Sequence, residues 1–270
     1  MATMNWGCQA YPWQMSLDTY AGKVDHMLTV ASKAGFPGFE LETVMLGRTS
    51  WAELADLLAA HEMKLAALGL ALDWRSSSET DAEVRAAEEI LNYLSRFPDT
   101  MLLLCQRPGK DRGQLRERQK NAVACIAAVA KRARDRGIQP TFHPNSPPGS
   151  VFRVQEDYDF LLDGLAREQI GFTPDVGHIA KGGMDPLEMI RRYRSLITHV
   201  HFKDLARDGE WALMGEGTIN FQAIVDDLVR SGYAGWIVVE DESPLAETSP
   251  DQAVLACGQF INRLKSIKEK

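Results

Sequence analysis

The stretch from Phe172 to Asp204 constrains the fold more than any other. Two short apolar runs, Gly171–Asp175 and Ile197–Phe202, flank a helix-like segment, Pro186–Ser195, whose proline suits a first helical turn. Two strands joined through a helix pair in parallel, because a tight hairpin would be needed to reverse the chain. Each run also ends in side chains that can bind a metal or move a proton. The first leads to Asp175 and His178, and the second to His199, His201, Lys203 and Asp204. Chemistry at the C-terminal ends of parallel strands is the layout of an α/β enzyme.

The same alternation runs along the whole chain. The remaining strands are expected at Asn5–Ala10, Gly38–Glu42, Lys64–Leu70, Met101–Cys105, Ile138–His143 and Trp236–Glu240. Met101–Cys105 is apolar throughout, as a strand buried on both faces requires. The helices are expected at Asp18–Ala34, Ser50–His61, Thr80–Phe97, Gln114–Arg136, Gln155–Leu165, Asn220–Ser231 and Asp251–Ile267. Ser50 and Asn220 suit the N-cap, and Gly35, Gly137 and Gly232 suit the turn after a helix end. Eight strand–helix units with no linker-like tract predict a single (β/α)8 TIM barrel over residues 1–270, in the α/β class. No GxGxxG or GxxxxGK[ST] follows the first strand, so a nucleotide-binding fold is disfavoured.

A net charge of −7 argues against a nucleic-acid surface and against anionic membranes. The four cysteines, Cys8, Cys105, Cys125 and Cys257, form no CxxC pair and match no zinc-finger spacing. Cys105 and Cys125 lie in apolar runs and read as buried thiols. The N-terminus lacks a signal-peptide pattern and no apolar run reaches membrane-spanning length. A reduced, cytoplasmic enzyme is the expectation, and a homo-oligomer or a partner subunit is compatible with it.

His143, Asp175, His201 and Glu240 stand at the ends of the last four expected strands. Two imidazoles and two carboxylates form a mixed nitrogen–oxygen set, suited to Mn²⁺, Co²⁺, Fe²⁺ or Zn²⁺, with Mg²⁺ also compatible. Each has a plainer reading. A lone strand-end histidine is commonly a satisfied polar group, Asp175 is equally a helix or turn cap, and Asp241 or Glu242 competes with Glu240. Lys203 shares a strand face with His201 and either stabilises developing negative charge or makes a surface salt bridge. His199 lies deeper on that face and reads as a packed residue. Trp13, Trp74 and Trp211 fall in expected top-face loops, where a ring packs on a sugar or serves as lid or interface. His26 and His61 read as solvent-facing helix residues.

The segments GFELE, TFHPN, PDVGH, HVHFKD, MGEGTINF and GWIVVEDE together resemble the xylose isomerase-like TIM barrel superfamily of sugar-phosphate isomerases and epimerases, and its inosose dehydratase branch in particular. The resemblance implies a divalent metal on His143, Asp175, His201 and Glu240. It implies that His178 faces the substrate or the outer shell of the metal, and that Glu40 contacts substrate hydroxyls or equally pairs with Lys203 or another cation at the barrel mouth. Lys203 and Glu216 are further candidates for substrate contact, although the glycines alone explain the turn around Glu216, and His143, His178, Lys203 and Glu240 are the expected catalytic groups. Many members carry Glu where this chain has His143, so a symmetric two-carboxylate epimerisation is disfavoured, and His143 is either ligand or base. The expected activity is a metal-dependent lyase that removes an α-proton from a keto-polyol or keto-sugar and expels the β-oxygen, as in inositol catabolism. A ketose isomerase or epimerase, β-elimination of a 3-keto-glycoside, and a non-catalytic sugar-binding or partner subunit are the alternatives.

Overall fold

The computed structural model describes residues 4–266, with side chains to 265. In chain order the elements are β1 (Asn5–Gln9), α1 (Tyr11–Gln14), α2 (Leu17–Tyr20), α3 (Val24–Lys33), β2 (Gly38–Glu42), α4 (Trp51–Ala60), β3 (Lys64–Leu72), α5 (Asp81–Leu94), β4 (Met101–Gln106) and α6 (Leu115–Arg134). They continue with β5 (Pro140–His143), α7 (Gln155–Arg167), β6 (Gly171–Phe172), α8 (Val176–Lys181), α9 (Pro186–Arg192), β7 (His199–Phe202), β8 (Asp204–Leu205) and β9 (Trp211–Ala212). The last are α10 (Phe221–Arg230), β10 (Trp236–Val239), α11 (Pro244–Thr248) and α12 (Pro250–Ser266). The ends of the expected 1–270 domain, and the Ile267 end of the expected last helix, lie outside the described residues.

The chain divides into two compact units, Met1–Ala66 with Val200–Lys270, and Ala67–His199. The boundary falls inside β3 and inside β7.

In the first unit, β1 pairs in parallel with β2 and with β10. The registers are Gln9 opposite Glu40 and Cys8 opposite Val239. Phe39, Leu41 and Glu40 are all fully buried, so both faces of β2 are covered, as a parallel strand demands. Gly38 permits this packing: a Cβ there would lie 2.1 Å from the Trp236 ring. The expected helix Asp18–Ala34 is two helices instead. Ala21 is extended and Gly22 has φ +76°, a left-handed conformation that glycine adopts without steric cost.

In the second unit, β4 pairs in parallel with β3 and β5, and β5 with β6. A parallel bridge also joins Phe172 to Ile197. The apolar residues Leu102, Leu104, Phe142 and Phe172 are buried, and edge-on ring contacts join Phe142 to Phe152 and Tyr158 to Phe172. Helix α5 opens with a capping box: Thr80 accepts the Glu83 N–H while the Glu83 carboxylate accepts the Thr80 N–H. The expected strand Gly171–Asp175 stops at Phe172, because Asp175 becomes the N-cap of α8.

Candidate functional site

The first unit carries a dense group of charges. Glu40 on β2, His201 and Lys203 at the end of β7, and Glu240 just after β10 are all buried. The β period of two sends His201 and Lys203 to one side of the chain. His201 Nδ1 lies 3.0 Å from Glu240 Oε2, and Nε2 lies 3.0 Å from Glu40 Oε1. Lys203 Nζ donates to Glu240 Oε1 at 2.5 Å and also to Glu242 Oε1. Its ammonium sits 4.9 Å from the centre of the Trp211 ring and 5.6 Å from that of Tyr11. Burial, then the Glu242 charge, pushes the Tyr11 hydroxyl above its ordinary range, so it remains a neutral donor.

Two neighbouring carboxylates shape the loops around this group. Asp204 accepts the N–H groups of Leu205, Gly215, Gly217 and Ile219. A Cβ on Gly217 would stand 2.2 Å from Asp204 Oδ1, which accounts for glycine there. Asp241 accepts from the N–H of Ser243 at 2.8 Å and of Met214 at 3.3 Å. Glu216, an expected substrate contact, is exposed.

The second unit carries histidines in a gentler setting. His143 ends β5 and is buried, with Nε2 3.5 Å from Asp175 Oδ2. Burial disfavours its charged form, yet hydrogen bonding to Asp175 and Cys105 outweighs that and holds its pKa well above the ordinary value. Asp175 is fully buried, and its Oδ1 accepts the His178 N–H at 2.8 Å. His178 therefore belongs to the first turn of α8. Its Nδ1 lies 2.7 Å from Ser146 Oγ, and its ring meets the His143 ring edge-on at 5.5 Å.

Other expectations fare unevenly. Lys203 is a buried ion-pair donor and not a surface one. His199 is fully buried, as a packed strand residue should be. Trp13 and Trp74 are fully buried and cannot form an exposed lid, whereas Trp211 is half-buried on β9. His26 is partly exposed beside Asp251, while His61 is mostly covered and pairs with Asp25. Sequence reasoning gave Tyr11 and Ser146 no site role and read Cys105 as a buried thiol, whereas it is half-buried. Ser146 stands in the NSPPGS loop directly after β5, and that position was the available signal.

Comparison with known proteins gives the family. The model of the xylose isomerase-like TIM barrel matches residues 28–258. An inosose dehydratase of Lacticaseibacillus casei is 28% identical over 162 residues, which is 53% of this chain and 54% of that protein. The chain thus matches about half the length of this curated relative. A crystal structure of the IolI protein with a bound zinc atom superposes with a TM-score of 0.75 at 16% identity, covering 97% of this chain and 98% of that one. The structure of an L-ribulose 3-epimerase gives a TM-score of 0.76 at 18% identity, covering 99% and 96%. By the family match and by fold, the chain belongs to the xylose isomerase-like TIM barrel family.

Proposed function

We propose that this chain is a divalent-metal-dependent lyase that dehydrates a keto-polyol or keto-sugar. The observation that carries the reading is the donor chemistry of the buried histidines. His201 faces a carboxylate oxygen from each ring nitrogen, and His143 Nε2 faces Asp175 Oδ2. A ring set between two carboxylates either holds both protons or yields one edge to a cation. Glu240 shares the single Lys203 ammonium with Glu242 while also facing His201, so a divalent ion would relieve a surplus of buried negative charge. The set therefore fits a metal. In a TIM barrel the C-terminal strand ends converge on one face, so His143, Asp175, His201 and Glu240, all buried and metal-competent, would hold one ion together. The mixed nitrogen–oxygen donors suit Mn²⁺, Co²⁺, Fe²⁺ or Zn²⁺. The zinc of the IolI structure supports a divalent ion, and the inosose dehydratase relative supports a dehydration.

When bound, such an ion supplies Lewis-acid polarisation of a ketone and makes its α-C–H more acidic. The chain's own groups then divide the work. Glu240, or His143 where it is not a ligand, accepts the α-proton. Lys203 is held by its carboxylates and donates to the oxygen on which charge develops. With Ser146 Oγ–H donating to Nδ1, His178 keeps its proton on Nε2 and can deliver it to the departing β-oxygen. Glu40 orients His201 and accepts substrate hydroxyls. Only one of the two proton-transfer groups is a carboxylate in this scheme, which favours elimination over a symmetric epimerisation.

The test is a reaction of the Mn²⁺-, Co²⁺- and Zn²⁺-loaded protein with inososes, ketohexoses and 3-keto-glycosides in deuterated water. Loss of water from an inosose is the expected result. Deuterium entering a ketose at unchanged composition would replace elimination with epimerisation. Inertness of every loaded form toward all three classes would remove the enzyme reading.

A further inference from the structure

Cys105 has no part in the chemistry above, and its surroundings set it apart from the other cysteines. Cys8, Cys125 and Cys257 are buried, whereas Cys105 is half-buried at the end of β4. The β4–β5 register places it directly opposite His143. Adjacent positions in parallel strands send their side chains to the same face. Asn145 Nδ2 donates to Cys105 Sγ at 3.3 Å and to the Gln106 carbonyl at 2.8 Å. The Cys105 thiol donates to that same carbonyl at 3.7 Å. Its proton is thus directed at a backbone oxygen, which leaves the sulfur lone pairs as acceptors. On the facing residue, His143 Nε2 is turned toward Asp175 Oδ2, so Nδ1 is the nitrogen left for the sulfur.

We propose that Cys105 is a positioning residue that accepts a hydrogen bond from His143 Nδ1–H, fixing the tautomer and the ring plane so that Nε2 is the metal-binding nitrogen. The inference rests on the metal reading above and deepens it, since it assigns His143 as a ligand rather than a base. Histidine ligands generally donate their second N–H to a fixed acceptor, and removing that acceptor weakens metal binding about 10–100-fold. Here a thiol takes the place usually filled by a carboxylate or carbonyl. Asn145 completes the device, holding the sulfur from the loop that follows the ligand's own strand.

The experiment titrates metal-free protein with Zn²⁺ against a chromophoric chelator, for wild type and for C105V, C105S and H143A. C105V should bind about 10–100-fold more weakly, as loss of the acceptor predicts. C105S retains an acceptor and should recover most of the affinity. Nitrogen NMR of labelled wild-type protein reads the tautomer directly: the zinc-loaded form should show His143 protonated at Nδ1 and bound at Nε2. Co²⁺-loaded wild type should lack an intense sulfur-to-cobalt absorption band. Wild-type affinity in C105V, or a His143 bound through Nδ1, overturns the proposal. A strong sulfur-to-cobalt band overturns it too, because Cys105 would then be a ligand itself. Unchanged affinity in H143A would instead defeat the ligand set, a separate outcome that removes both readings. Should C105V fail to fold, the tautomer and the cobalt spectrum of wild type still decide.

Discussion

The groups carried by the two units use histidine in opposite ways. His201 sits among full charges, with Glu40 and Glu240 on its two nitrogens and Lys203 bonded to Glu240 and Glu242. His143 and His178 are set instead among an aspartate, a thiol and a hydroxyl, and one oxygen of that aspartate is spent on capping α8. The first arrangement neutralises charge. The second fixes ring orientation and proton position with weaker, directional bonds. The proposed reaction, which binds an ion and delivers a proton, would draw on both.

The contrast is broken most severely at Lys203. Replacing it with Met strips two carboxylates of their buried ammonium, and breaking a buried pair in this way costs about 3–5 kcal/mol. Denaturant unfolding of K203M should show that loss; a change near zero would mean that the carboxylates are satisfied without the lysine. The gentler side should answer differently. H178Q keeps a polar side chain of similar reach to Ser146, so unfolding should change little while turnover falls about 10²–10⁴-fold. A large stability loss with turnover intact would make His178 structural.

The smallest effect concerns the loop after β3. The Glu83 carboxylate accepts the N–H groups of Trp74 at 2.7 Å and Thr80 at 2.8 Å. Burial works against its charge, but these bonds prevail and hold its pKa below the usual 4.5. A depressed carboxyl stabilises the fold fully above the unfolded value. That contribution is lost as pH falls through the folded one. E83Q should therefore be less stable than wild type near neutrality, with the gap closing in acid below pH 4.5. A gap that persists unchanged into acid would contradict this account of the cap.

Much of this was legible in the sequence because it depends on local pattern. Apolar runs of strand length, capping residues and glycine stops mark the strands and most helices. The ends of those runs single out His143, His201 and Glu240. Asp175 was less clear: a residue that ends a strand and starts a helix looks the same in either role, and here the cap shortens β6 to two residues. The break at Gly22 was hidden because the apolar spacing of Asp18–Ala34 continues across it. Partners set by tertiary register were not legible. Nothing near Cys105 in sequence announces His143 opposite it, and Lys203 reveals its two carboxylates only once β10 and its following turn are folded.

The central claim is that donors from both groups hold one divalent ion. Metal analysis of reconstituted wild type, D175A and H201A, one variant from each group, tests it most directly. The account predicts a stoichiometric ion in wild type and its loss from each variant separately. An ion retained in full by either variant, or wild type that binds none after reconstitution, would contradict it.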